Sequence, residues 1–165
     1  MLVVPWQHVA NWKCNACGLC CKTYSVVLNF PEWLRIVKNY GVEKTVSDLN
    51  KLYLNRRDDG SCVFLYSFSN ANLCGIQQTK PKACKLWPSR ITSKPEFGYA
   101  RDALYSYGKN RLYIYADSAC SGLRLGKPTL EFTAHTLKEF IEIALGFRTG
   151  QYKTTANIDF LQLWT

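Results

Sequence analysis

The sequence predicts a small α+β protein built of short antiparallel strands, a few helices and cysteine-rich loops. Three observations carry this. Brief β-branched and aromatic runs alternate with turn residues, two stretches have helical apolar spacing with caps, and eight cysteines sit mostly between these elements. At 165 residues the chain is expected to form one domain, 1–165, large enough to bury a core. Apolar content of 47% argues against intrinsic disorder.

In chain order, the first landmark is Cys14-Asn-Ala-Cys17-Gly-Leu-Cys20-Cys21. Thr23 to Leu28 is β-branched and aromatic, and predicts a strand. Asn29 can cap a helix running from about Pro31 and ended by Gly41. Residues 44–50 suggest a second short helix. Residues 51–56 and 62–66 predict paired strands around Asp58-Asp59-Gly60, and 69–72 a turn that leaves Cys74 on a loop or strand end.

Pro81 to Trp87 predicts a short helical segment presenting Cys84, opened by one proline and stopped by Pro88. Residues 99–107 and 111–115 predict a hairpin with its tip at 108–110. The clearest helix spans about 134–145, capped by Thr133 or Thr136 and ended by Gly146. Leu137, Phe140, Ile141, Ala144 and Leu145 form its apolar stripe. Residues 158–164 are expected to pack a short segment onto the body.

The chemistry lies in the cysteines. A C-x2-C step places two thiolates within reach of one metal ion, and here two such steps run end to end and close on a vicinal pair. Cys62, Cys74, Cys84 and Cys120 follow singly. All eight are therefore candidate metal ligands: Cys14, Cys17, Cys20, Cys21, Cys62, Cys74, Cys84 and Cys120. The two histidines, His8 and His135, stand in no ligand-like spacing, so ligation should be essentially all sulfur. That suits an iron–sulfur centre or Zn2+. The spacing differs from the bacterial ferredoxin run. An oxidised disulfide scaffold is a third, weaker reading. No Ser/His/Asp or paired-carboxylate arrangement supports conventional hydrolysis.

The formal net charge is +9. Each four-thiolate centre carries about −2, so one would lower the total to about +7 and two to about +5. Lys13, Lys22, Lys80, Lys82 and Lys85 near the cysteines can balance thiolates. The remaining basic excess admits RNA, a ribosome or an acidic protein as partner. No apolar run approaches a membrane span, and the opening residues lack a secretory pattern, so a reducing, cytoplasmic location is expected. Oligomeric state is not legible.

Further pieces are Gly60-Ser-Cys62-Val-Phe-Leu65, Cys74-Gly-Ile76, Lys80-Pro-Lys-Ala-Cys84-Lys-Leu-Trp-Pro88 and Cys120-Ser-Gly122. With the opening C-x2-C-x2-C-C, their order and spacing over about 14–126 resemble the YkgJ-like cysteine-cluster family, described as a zinc- or iron-chelating domain. Lys80, Lys85, Trp87 and Ser121 replace the family's arginine, arginine, phenylalanine and proline. The lysines cannot make an arginine's bidentate fork. The resemblance implies metal or cluster binding through the cysteines. The preferred reading is a 4Fe-4S centre for redox or cluster-dependent chemistry, with a redox or protein partner. The alternative is a zinc-stabilised basic module. Methyl transfer, as in the similar flagellin lysine methylase, is a minor alternative because no nucleotide-binding glycine motif is present.

Overall fold

The computed structural model describes residues 2–68 and 71–156. The strands are β1 (Val3–Pro5), β2 (Val9–Trp12), β3 (Val27–Leu28), β4 (Thr45–Asp48), β5 (Lys51–Leu54), β6 (Leu65–Phe68), β7 (Ala71–Cys74), β8 (Ser89–Thr92), β9 (Leu104–Tyr107), β10 (Asn110–Asp117) and β11 (Leu123–Leu125). The α-helices are α1 (Leu19–Thr23), α2 (Phe30–Tyr40), α3 (Lys82–Leu86), α4 (Ala100–Ala103) and α5 (Lys138–Leu145). Every strand pairing is antiparallel. The α+β class read from the sequence is the observed one. By their contacts the described residues group into two compact units, 2–15 with 85–156, and 16–84.

In the first unit β10 is the central strand, with β1 and β8 on its two sides and β9 returning along it as a hairpin. A separate ribbon joins β2 to β11. Their inner faces bury Val9, Trp12, Leu112 and Ile114 against Leu137, Phe140 and Ile141 of the late helix. Burying one such side chain is worth roughly 1.5–3 kcal/mol. The hairpin 104–117 is as anticipated, but residues 100–103 are helical instead of extended.

The late helix begins earlier than expected. Thr129 supplies the cap, its Oγ1 accepting from the Phe132 N–H at 3.2 Å, and a π-helical segment at Phe132–Leu137 leads into α5. Gly146 ends it, as expected.

The second unit stacks α2 on a three-stranded sheet of order β3-β5-β4 and adds the hairpin β6–β7. Its core holds Leu28, Ile36, Leu54, Phe64, Leu65 and Ile76, with Trp33 packed against it. The cap of α2 is a reciprocal box: Asn29 Oδ1 accepts from the Glu32 N–H and Glu32 Oε2 accepts from the Asn29 N–H.

Three expectations are corrected here. Residues 19–23 are helical, and only Val27 and Leu28 of the anticipated strand pair with β5. Residues 45–48 are strand and not helix, because Thr45 and Val46 ladder onto Leu54 and Tyr53, and Thr45 Oγ1 accepts from Trp33 Nε1. Residues 51–56 do not pair along 62–66. A single Arg56–Cys62 bridge survives beyond the Gly60 turn, after which β6 turns to β7. The segment 158–164 lies outside the described residues.

Glu139 ties the end of the first unit to its helix. Its carboxylate, 3% exposed, accepts from the backbone N–H groups of Tyr152, Lys153 and Thr154, from Thr154 Oγ1, and from Arg148. Burial opposes its ionisation, yet these donors hold it below the usual carboxylate range. A group depressed in the folded state adds stability above its unfolded value of about 4.3 and loses it as pH falls through the folded value. Urea unfolding of Glu139→Gln should therefore show a deficit against wild type at pH 7 that shrinks below about pH 4.

Candidate metal centre

Six of the eight cysteines belong to the unit Ala16–Cys84, and the local chain explains how they are held. The Cys17-Gly18 turn needs backbone conformations that side chains resist. Ala16 has φ 54° and Gly18 φ 74°. A Cβ on Gly18 would lie 2.7 Å from Asn72 Cγ, so only glycine fits. Asn72 then clamps the turn, its N–H donating to Ala16 O at 2.9 Å and its Nδ2 to Cys17 O at 3.0 Å. Helix α1 starts at this turn and presents Cys20 and Cys21. The Arg56 guanidinium closes its far end, donating to Lys22 O and Tyr24 O, both at 2.6 Å.

Cys62 is drawn to the same helix, its N–H donating to Cys21 O at 2.8 Å. Cys74 ends β7, opposite Leu65. Cys84 rides on α3, whose first turn is fixed when the Lys82 N–H donates to Glu32 Oε1 at 2.6 Å. Glu32 therefore serves both helices.

These thiols alter one another's protonation. Cys20 and Cys21 stand 3.9 Å apart, Sγ to Sγ. The hydrogen bond within this pair lowers Cys20, and the Lys80 ammonium adds to it against burial, bringing Cys20 to about 7. The same bond, burial and the neighbouring Cys62 and Cys74 push Cys21 up, so it keeps the proton. Burial raises Cys62, Cys74 and Cys84. Opposing it, the Phe64 N–H faces Cys62 and the Ile76 N–H faces Cys74, while Lys80 acts on Cys74 and Cys84.

Among the described residues no three or more Cys, His, Asp or Glu side chains form a ready-made ligand cage. The donor set nonetheless fits a thiophilic ion or cluster. It is all sulfur, partly desolvated, with backbone N–H groups and a lysine placed to stabilise thiolate. Cys17 is the exposed member of the set.

Cys14 and Cys120 belong to the first unit. Cys120 is buried, and its sulfur accepts from Trp12 Nε1 at 3.2 Å; Cys14 packs against the same core. His8 lies 3.2 Å from Asp102, and His135 is exposed on the late helix. All eight cysteines are thiols, with no disulfide among them. Of the lysines expected near sulfur, Lys80 acts as anticipated, whereas Lys85 donates to Thr149 O. Sequence reasoning missed Asn72, Arg56 and Glu32, which touch the cysteine-bearing segments only through backbone atoms. The positive-φ Gly18 was the one local signal for the Asn72 contact.

One family model matches residues 13–121: CxxCxxCC, described as a "putative zinc- or iron-chelating domain". The chain belongs to this family. The match covers every candidate cysteine, so the CxxCxxCC assignment agrees with the resemblance read from the motifs. No curated protein and no solved structure matches the chain. Among the described residues no helix is long and apolar enough to cross a membrane.

Gly18→Ala should cost more stability than Gly60→Ala. Both glycines have positive φ, but a Cβ at Gly60 meets nothing within 4 Å. Left-handed strain of about 1–2 kcal/mol is common to both, and the collision with Asn72 is added only at Gly18. Equal urea midpoints for the two variants would contradict the clamp.

Proposed function

We propose that this CxxCxxCC protein holds a 4Fe-4S centre used for electron transfer or cluster-dependent redox chemistry. Its ligands are drawn chiefly from Cys17, Cys20, Cys21, Cys62, Cys74 and Cys84; Cys14 and Cys120 complete the candidate set. The observation that carries this reading is the gathering of Cys20, Cys21, Cys62, Cys74 and Cys84 in one unit, with Cys20 and Cys21 3.9 Å apart, the Cys62 N–H on Cys21 O, and Cys74 and Cys84 near enough to be raised by the same sulfurs. A 4Fe-4S centre takes four thiolates, and these five close thiols, with no nitrogen or oxygen ligand among them, can supply that set.

When bound, a 4Fe-4S centre supplies one-electron transfer at a potential set by its surroundings. The chain's own contribution is to bind and tune. The Phe64 and Ile76 N–H groups, with the Lys80 ammonium, stabilise negative charge on sulfur and thereby favour the reduced state.

A second reading, a structural zinc site, is favoured by one feature. In Cys62–Phe64 and Cys74–Ile76 the N–H two residues on faces the thiol, a turn that suits a single tetrathiolate ion. Zinc would then contribute folding energy and no redox chemistry.

Metal and acid-labile sulfide analysis of anaerobically purified protein separates the two. The proposal predicts brown protein with about four iron and four sulfide per chain. Colourless protein with about one zinc and no sulfide would establish the second reading instead. In either case Cys62→Ser and Cys74→Ser should each lose most of the bound metal and lower the melting temperature. Full metal content in both variants would overturn the ligand assignment.

A further inference from the structure

In the first unit, the π-helical segment, the first turns of α5 and the segment after the helix surround an open polar cavity of about 210 Å³, lined among others by His135, Lys138, Arg148, Tyr152 and Lys153. Its carboxylates are already committed. Glu139 is buried under the donors described above. Glu142 receives Arg148 Nη2 at 3.0 Å, Lys138 Nζ at 3.8 Å and the Tyr107 hydroxyl at 3.3 Å. Arg148 is thereby held with its guanidinium carbon 5.7 Å from the centre of the Tyr152 ring.

Two large rings remain on the surface: Tyr152, which lines the cavity, is 70% exposed, and Phe147, adjacent in sequence to Arg148, is 69% exposed. Phe147 in turn leans on Tyr107, ring centres 6.4 Å apart, beside the tip of the hairpin whose next strand begins Asn110-Arg111. Flat faces for stacking next to cations for phosphate match the chemistry of unpaired nucleotides.

We infer that this face, around Tyr152, Phe147, Lys138 and Lys153, binds single-stranded nucleic acid, with bases stacking on the two rings and phosphates lying along the lysines. An acidic protein would use the same lysines but gain little from the rings. Duplex would hide its bases from them. The basic excess, +9 for the chain with neutral cysteines and about +7 with one four-thiolate centre, supplies the long-range attraction. The inference does not depend on which metal the cysteines hold. Of the tyrosines that alternate along the hairpin, Tyr115 is fully buried and Tyr105 packs edge-on against Trp6, so neither serves here.

Fluorescence anisotropy of a labelled single-stranded RNA oligonucleotide of about 12 nucleotides, titrated with the metal-loaded full chain at several salt concentrations, tests this. Tyr152→Ala and Phe147→Ala should each weaken binding about tenfold. Lys138→Ala and Lys153→Ala should each reduce the log–log salt slope by about 0.7, whereas Lys51→Ala, in the other unit, should not. Metal content and melting temperature should stay at wild-type values in all five variants, as a control for folding. Three results would overturn the proposal: no RNA binding at low salt, wild-type affinity in both ring variants, or equally tight binding of polyglutamate or RNA duplex. None of them would alter the metal assignment.

Discussion

Sulfur charges cannot be gathered in a partly desolvated space without something positive to compensate them. That constraint governs the unit Ala16–Cys84. Burial and mutual repulsion push Cys21, Cys62, Cys74 and Cys84 towards the neutral thiol, and only Cys20, helped by its neighbour and by Lys80, moves the other way. The N–H groups of Phe64 and Ile76 offset part of the cost. A bound cation would offset the rest by converting repulsive neighbours into shared ligands, and on the proposed reading metal binding and folding of this unit would be one equilibrium.

The protein nevertheless builds much of the arrangement from backbone hydrogen bonds. Asn72 holds the Cys17 turn, Arg56 closes α1, the Cys62 N–H meets Cys21 O, and Glu32 joins the first turns of α2 and α3. The Asn72 and Cys62 contacts link one cysteine-bearing segment to another, while Arg56 and Glu32 tie the cysteine-bearing helices α1 and α3 to neighbouring elements of the unit. The cysteine loops are therefore tied by polar contacts at their edges and by the Leu28–Ile36–Phe64 core beneath. The first unit rests on a different device, a buried carboxylate satisfied by surrounding donors, Arg148 among them.

Signals confined to a few neighbouring residues were legible in the sequence. Asn29, Pro31 and Gly41 bounded α2, the prolines at 81 and 88 bounded the helix bearing Cys84, and the Tyr-rich alternation marked the β9–β10 hairpin. The cysteine motifs gave the family. Non-local pairing was not legible. Cys62 leaves the ladder that the alternation of 51–56 and 62–66 suggested because its N–H bonds to Cys21 O, some forty residues earlier. Thr45 and Val46 became strand because β5 was there to receive them. The cap at Thr129 was hidden by two plausible threonines further on. The division of the cysteines, six in one unit and two in the other, follows from how the chain returns after Cys84, which no local spacing encodes.

The central claim is that sulfur alone grips the metal. X-ray absorption at the edge of the metal found in the purified protein measures this directly. The account predicts a first shell fitted entirely by sulfur at about 2.3 Å. A shell requiring nitrogen or oxygen neighbours from the protein, at about 2.0–2.1 Å, would contradict it.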